Sequence, residues 1–135
     1  AGLGVIAFAV ARWRSAARVW WYAAAVHVLA MRASDELKPL AGRLRPSQWV
    51  HVGGDMFGRG GESFPSGYAA YYFGLVAPFA VAWPRIGVPL LVVPIYVSWS
   101  RVAVDAHFVS DVIGSAVLVT LLCWALAYPF RIGGR

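Results

Sequence analysis

Long apolar runs, interrupted by short polar or proline-marked breaks, set the pattern of this chain. Ala1–Val10 is apolar but shorter than the roughly 20 residues that span a bilayer as helix. Ala11–Arg18, with Arg12, Arg14 and Arg18, reads as a basic turn. From about Ala16 to Ala33 the pattern predicts a helix rich in Ala, Val and Trp. Trp20, Trp21 and Tyr22 lie near its start, as in an interfacial aromatic belt. His27 breaks its apolar run and reads as a buried, hydrogen-bonded histidine. Ser34–Gly61 is polar and Gly-rich, too long for a simple turn, and loops of that length are often functional. Ser66 to about Trp83 predicts the next helix, with Pro78 as a possible kink, and Trp83-Pro84-Arg85 a tight turn. Ile86–Ser98 contains Pro89 and Pro94, which a membrane helix tolerates when its neighbours satisfy the freed carbonyls. The last helix is predicted from about His107 to Tyr128, ahead of a tail with Arg131 and Arg135.

The expected fold is therefore all-α, a polytopic transmembrane helix bundle with four near-complete spans plus a partial N-terminal one. Residues 1–135 make a single membrane-embedded domain, and its opening reads as the tail of a helix whose earlier sequence is missing.

Composition strengthens the membrane reading. Hydrophobic residues make up 60% and charged residues 13% of the chain, against about 25% charged in soluble domains. The net charge of +6 does not point to nucleic acid, because the basic residues bracket apolar runs instead of lining a solvated face. Following the helices back and forth gives the bundle two unlike ends. One holds Arg12, Arg14, Arg18, Arg85, Arg131 and Arg135 without an acidic residue. The other holds all six acidic residues, on the Ser34–Pro65 and Ser100–Asp111 stretches. The acid-free basic end is expected in the cytoplasm, which places the polar loops outside the inner membrane. Cys123, the single cysteine, excludes an intramolecular disulfide and a cysteine metal cluster.

Three polar clusters converge on that outer end. His107 and Asp111 are four residues apart, so on a helix they would share one face. On its own this spacing reads first as a structural cap. Read as chemistry, Asp111 fixes the tautomer of His107 and leaves one ring nitrogen free to attack. Arg101, just upstream, offers a planar fork for a phosphate oxyanion. Lys38 and Arg45 add positive charge from another segment; each also reads as an interfacial cation. Ser66 and Gly67 put backbone N–H groups and a hydroxyl at a helix N-terminus, which favours anions. Gly67 leaves room for a phosphate to approach the backbone. Together these groups suit in-line displacement at phosphorus through a phospho-histidine.

The spacing Lys-x6-Arg-Pro, Pro-Ser-Gly, and Ser-Arg-x5-His-x3-Asp resembles the motifs of the type-2 phosphatidic acid phosphatase superfamily. Lys38, Arg45 and Pro46 carry the first; Pro65, Ser66 and Gly67 the second; Ser100, Arg101, His107 and Asp111 the third. The resemblance implies an integral membrane enzyme that dephosphorylates lipid phosphates or diphosphates without metal or other cofactor. It also implies phosphate binding by Lys38, Arg45 and Arg101, a nucleophilic His107, and an orienting Asp111. One position departs from the family pattern: Tyr68 stands where the second motif usually carries the histidine that protonates the leaving group. Tyr68 is then a weak acid, a substrate positioner or an inactivating change, with His51 or Glu62 as substitute proton donors. The expected partners are a lipid phosphate or polyprenyl diphosphate substrate and membrane lipids. The competing readings are a phosphotransferase with an acceptor other than water, and a catalytically silent lipid-phosphate binder or transporter.

Overall fold

The computed structural model describes residues 2–132, with side chains from Val10 onward; Ala1 and Arg135 lie outside the described residues. The described residues are helical, without strands: α1 (Gly2–Ala41), α2 (Pro46–Val52), α3 (Gly67–Ala82), α4 (Pro84–Leu90), α5 (Val92–Ala103) and α6 (Val109–Ala127).

α1 corrects two expectations. Ala11–Arg18 is not a turn, and the separate partial N-terminal span does not exist: both belong to one 40-residue helix, about 60 Å long at 1.5 Å per residue. No Gly or Pro occurs between Val5 and Lys38, and the Ala and Arg of the basic stretch are strong helix formers. The helix also continues through Ser34–Ala41, so the connecting loop starts later than its polarity suggests. It stops at Gly42, whose φ of +53° suits glycine. The Gly42 N–H closes the last turn on the Lys38 carbonyl at 2.9 Å.

The loop after α2 is not loose. Its backbone folds onto residues 42–44 through Leu44 N to Met56 O (2.8 Å), Arg59 N to Gly42 O (2.9 Å) and Ser63 N to Arg43 O (2.9 Å). A Cβ on Gly61 would fall 2.3 Å from the Arg43 carbonyl oxygen, so only glycine permits this approach. These contacts fix Glu62 and Ser63 beside the first motif.

α1, α3 and α6 enclose the core, where Tyr22, Val26 and Ala30 meet Val119 and Cys123. Tyr22 donates its hydroxyl proton to the Cys123 carbonyl at 2.9 Å. α6 has its apolar face turned outward. Its buried positions are Asp111, Ser115, Val119 and Cys123, while Ile113, Val117, Leu121 and Trp124 are exposed. Small and polar residues inside with large apolar ones outside is how helices pack in lipid, where burial of Leu gains nothing. Two apolar stretches are long enough to cross a membrane: Pro84–Ala103, 20 residues, and Val109–Ala127, 19 residues. The first is broken at Leu91 between α4 and α5. Pro94 has no N–H to return to the Leu90 carbonyl, and the Leu91 N–H turns back to Val88 O at 3.1 Å. α6 begins at Val109, not at His107.

Candidate active site

Helix ends build this site. α1 ends at the first motif and presents Lys38 in its last turn. Arg45 caps α2, with its N–H donated to Gln48 Oε1 at 3.0 Å. Ser66 caps α3 by accepting from the Ala69 N–H at 3.4 Å, which leaves Gly67 and Tyr68 in the first turn. Arg101 closes α5. The Ser47 N–H reaches Asp105 O at 3.4 Å, tying α2 to the turn between α5 and α6.

A cavity of about 670 Å³ opens where these ends meet. Lys38, Arg45, Glu62, Gly67, Arg101 and His107 line it, and Met31, Tyr68, Tyr71 and Tyr72 complete its wall. Most of the residues singled out in the sequence are therefore brought together. Lys38 Nζ lies 3.0 Å from Asp35 Oδ1, and a Cβ on Gly67 would come within 3.3 Å of that same ammonium. The bare α carbon is what lets Lys38 approach the start of α3. Tyr68 is 54% exposed, and the Arg101 guanidinium carbon sits 4.4 Å from its ring centroid, a cation–π contact.

Ser66 takes a different place from the one expected. It is fully buried and does not line the cavity. Besides capping α3, its carbonyl accepts from Ser115 Oγ at 2.9 Å, and its N–H reaches Asp111 O at 3.3 Å. Ser66 locks the start of α3 onto α6. His51 is exposed on α2 and away from the cavity wall, whereas Glu62 is on it. His27 is not hydrogen-bonded at Nδ1. Its ring fits the notch left by Gly74, at 3.2 Å from where a Cβ would stand, and meets Tyr71 edge-on.

His107 and Asp111 do meet, but not as neighbours on one helix face. His107 precedes α6, and Asp111 lies in its first turn, where its Oδ2 accepts from the Phe108 N–H at 2.9 Å. The His107 Nδ1–Asp111 Oδ2 separation is 3.6 Å, beyond a hydrogen bond. Instead, His107 Nδ1 lies 2.8 Å from the Ser63 carbonyl oxygen. A carbonyl only accepts, so Nδ1 carries a proton, and in the neutral ring Nε2 is the nitrogen that holds the lone pair. The ring is 4% exposed, and that small surface borders the cavity.

Asp111 is fully buried and braced from several sides. Arg43 Nη1 donates to its Oδ1 at 2.5 Å, and Ser63 Oγ donates to Oδ2 at 2.6 Å. Arg43 and Ser63 were not among the sequence candidates. Arg43 stands two residues before Arg45 in Gly-Arg-Leu-Arg, so the density of basic residues there was the available signal. Nothing in the spacing singles out Ser63.

The family model for the PAP2 superfamily matches residues 18–132, from the upper part of α1 to beyond α6. The chain belongs to the PAP2 superfamily. Among curated proteins, this PAP2 chain is 37% identical over 82 residues to lipid A 1-phosphatase of Rhizobium johnstonii, covering 57% of the chain and 34% of that relative. It is 38% identical over 82 residues to lipid A 1-phosphatase of Rhizobium etli, covering 57% of the chain and 35% of that relative. The chain thus spans about a third of the length of the curated relatives it matches. No solved structure gives a significant match. Residues from all three motifs of the PAP2 chain converge on one cavity, with Tyr68 on its wall.

Proposed function

We propose that this chain is the catalytic domain of a multi-pass inner-membrane phosphatase that removes phosphate from an amphiphilic phosphoester or diphosphate. The observation that carries the reading is the one cavity these residues share. Its wall combines Lys38, Arg45 and Arg101 with His107, whose proton is fixed on Nδ1 by the Ser63 carbonyl. The cations neutralise the phosphoryl oxygens and stabilise charge that grows on them. His107 Nε2 gives its lone pair to phosphorus while the bond to the lipid oxygen breaks, and that oxygen leaves with the electron pair. Water then attacks the phospho-histidine, the N–P bond returns its pair to Nε2, and inorganic phosphate departs. Asp111 braces the site from below. α1, α3, α4 with α5, and α6 act as four passes, with the cavity on the extracytoplasmic side, opposite Arg14, Arg18 and Arg85. The lipid tail stays in the bilayer while the head group enters.

Tyr68 bears on which phosphate is cut. A phenol is a poorer proton shuttle than imidazole, and the face of the Tyr68 ring is occupied by Arg101. Substrates whose leaving oxygen is weakly basic are therefore favoured. A lipid diphosphate, such as a polyprenyl diphosphate, expels a phosphate monoester and fits that requirement. The name of the two rhizobial relatives supports a second class, phosphorylated glycolipids. Phosphate release should be measured from a panel of a polyprenyl diphosphate, a glycolipid phosphate and a glycerolipid phosphate, with wild type and His107→Ala. Release by wild type but not by His107→Ala is expected. Equal release by both would refute His107 as the nucleophile, and no release from any substrate would refute the phosphatase reading and leave the silent binder as the surviving one.

A further inference from the structure

Arg43 is the buried arginine of this site, and it is not on the cavity wall. Its Nη1 donates to Asp111 Oδ1 at 2.5 Å and to Ser110 Oγ at 2.8 Å. Its guanidinium carbon lies 4.3 Å from the Phe108 ring centroid and 4.9 Å from that of Phe57. The group is thus held by a carboxylate, a hydroxyl, the Met56 sulfur and two aromatic rings.

Asp111 is the nearest anion to His107. Buried and unbalanced at 3.6 Å, it would favour the imidazolium and so remove the lone pair that attack requires. We infer that Arg43 is a positioning residue for His107: by neutralising Asp111 it keeps the imidazole unprotonated, and by holding Asp111 it fixes Ser63, whose carbonyl sets the ring. The chain of contacts is continuous. Arg43 bonds Oδ1, Ser63 Oγ bonds Oδ2, and Ser63 O bonds His107 Nδ1. The Arg43 carbonyl also accepts the Ser63 N–H at 2.9 Å, so one residue anchors Ser63 through its backbone and Asp111 through its side chain. The part concerning catalysis rests on His107 being the nucleophile; the coupling of charge does not.

Other charges also face the imidazole. Lys38 of α1, Arg45 of α2, Arg101 of α5 and Glu62 of the loop share its cavity. Tyr68, Tyr71 and Tyr72 of α3 also stand on that wall. None of these groups is a hydrogen-bond partner of the Arg43 side chain, so a shift seen on changing it is referred to the Arg43–Asp111 pair. The sign is fixed. With Asp111 still held ionised by the Ser63 hydroxyl and the Phe108 N–H, loss of the guanidinium should favour the imidazolium and move the acid limb of turnover to higher pH.

The test is an 15N NMR titration of the histidine rings in the full chain in detergent micelles. The chain has three histidines, and His107→Asn assigns the resonance. Arg43→Met should raise the His107 midpoint by about one pH unit or more, and the acid limb of kcat/KM for the best lipid phosphate should move with it. Arg43→Gln, whose amide still donates to Asp111, should do the same and replaces Arg43→Met if that variant does not fold. Arg43→Lys keeps the charge and should leave the midpoint close to wild type. An unmoved midpoint in the neutral variants, with only the amplitude of activity reduced, would make Arg43 a purely structural residue and overturn the inference. A raised midpoint with an unmoved acid limb would instead remove His107 from the nucleophile role and leave the charge coupling intact.

Discussion

Tyr68→His puts imidazole, a more effective proton shuttle than a phenol, directly after the Pro65-Ser66-Gly67 stretch, and its effect should depend on the leaving group. A lipid monophosphate expels an alkoxide, which needs a proton in the transition state. A diphosphate expels a phosphate monoester, which needs little. General acid catalysis is worth about 10²–10⁴-fold, or about 2.7–5.4 kcal/mol at 1.36 kcal/mol per decade. Against this stands the loss of the Tyr68–Arg101 contact, with the guanidinium 4.4 Å from the ring centroid. Tyr68 is more than half exposed, so that contact is worth about 0.5–1 kcal/mol and its loss weakens phosphate binding by only a few fold. The gain exceeds the cost for monophosphates and does not for diphosphates. The assay is kcat/KM for a matched pair, one lipid tail carrying either a monophosphate or a diphosphate, with wild type and Tyr68→His. Monophosphate turnover should rise by two or more decades, and diphosphate turnover should change by less than one. Equal factors for both substrates, or no change for either, would refute the reasoning and point to Glu62, already on the cavity wall, as the proton donor.

The remaining expectations concern the bracing, the cradle and the orientation. Asp111→Asn leaves Arg43 buried opposite a neutral group; breaking such a pair costs about 3–5 kcal/mol, so thermal unfolding in detergent should drop measurably along with turnover. Gly67→Ala puts a methyl 3.3 Å from Lys38 Nζ, the movable end of a flexible chain; stability should stay within about 0.5 kcal/mol of wild type while KM rises several fold, and an unchanged KM would remove Lys38 from the phosphate cradle. After replacement of Cys123, a membrane-impermeant thiol reagent on intact cells should label a cysteine at Gly60 and spare one at Arg85; the reverse pattern would invert the topology.

α3, the α4–α5 stretch and α6 were legible because their apolar runs are long and nearly uncharged, whereas α2 fell inside the expected loop; the three motifs were legible because their residues sit at helix ends that the sequence marks with Gly, Pro and Ser. The basic stretch around Arg14 misled because charge suggests a break, whereas Arg and Ala are favourable helix residues and no Gly or Pro interrupts them. The His107–Asp111 pairing was right in proximity and wrong in its cause. Four-residue spacing suggested a shared helix face, while the actual link runs through a capping turn and the Ser63 carbonyl. Arg43 and Ser63 escaped notice because their importance lies in burial against α6, and burial of a polar residue is a tertiary property that local pattern does not carry.

The most direct measurement is to stop the reaction early and find where the phosphoryl group resides. The full chain, incubated with a lipid phosphate or diphosphate labelled at its terminal phosphorus and quenched in alkali, should carry an acid-labile, alkali-stable phosphate. Peptide mapping should place that label on His107, and His107→Ala should carry none although its melting behaviour matches wild type. Label on another residue, or full turnover by His107→Ala, would contradict a phospho-histidine at this cavity.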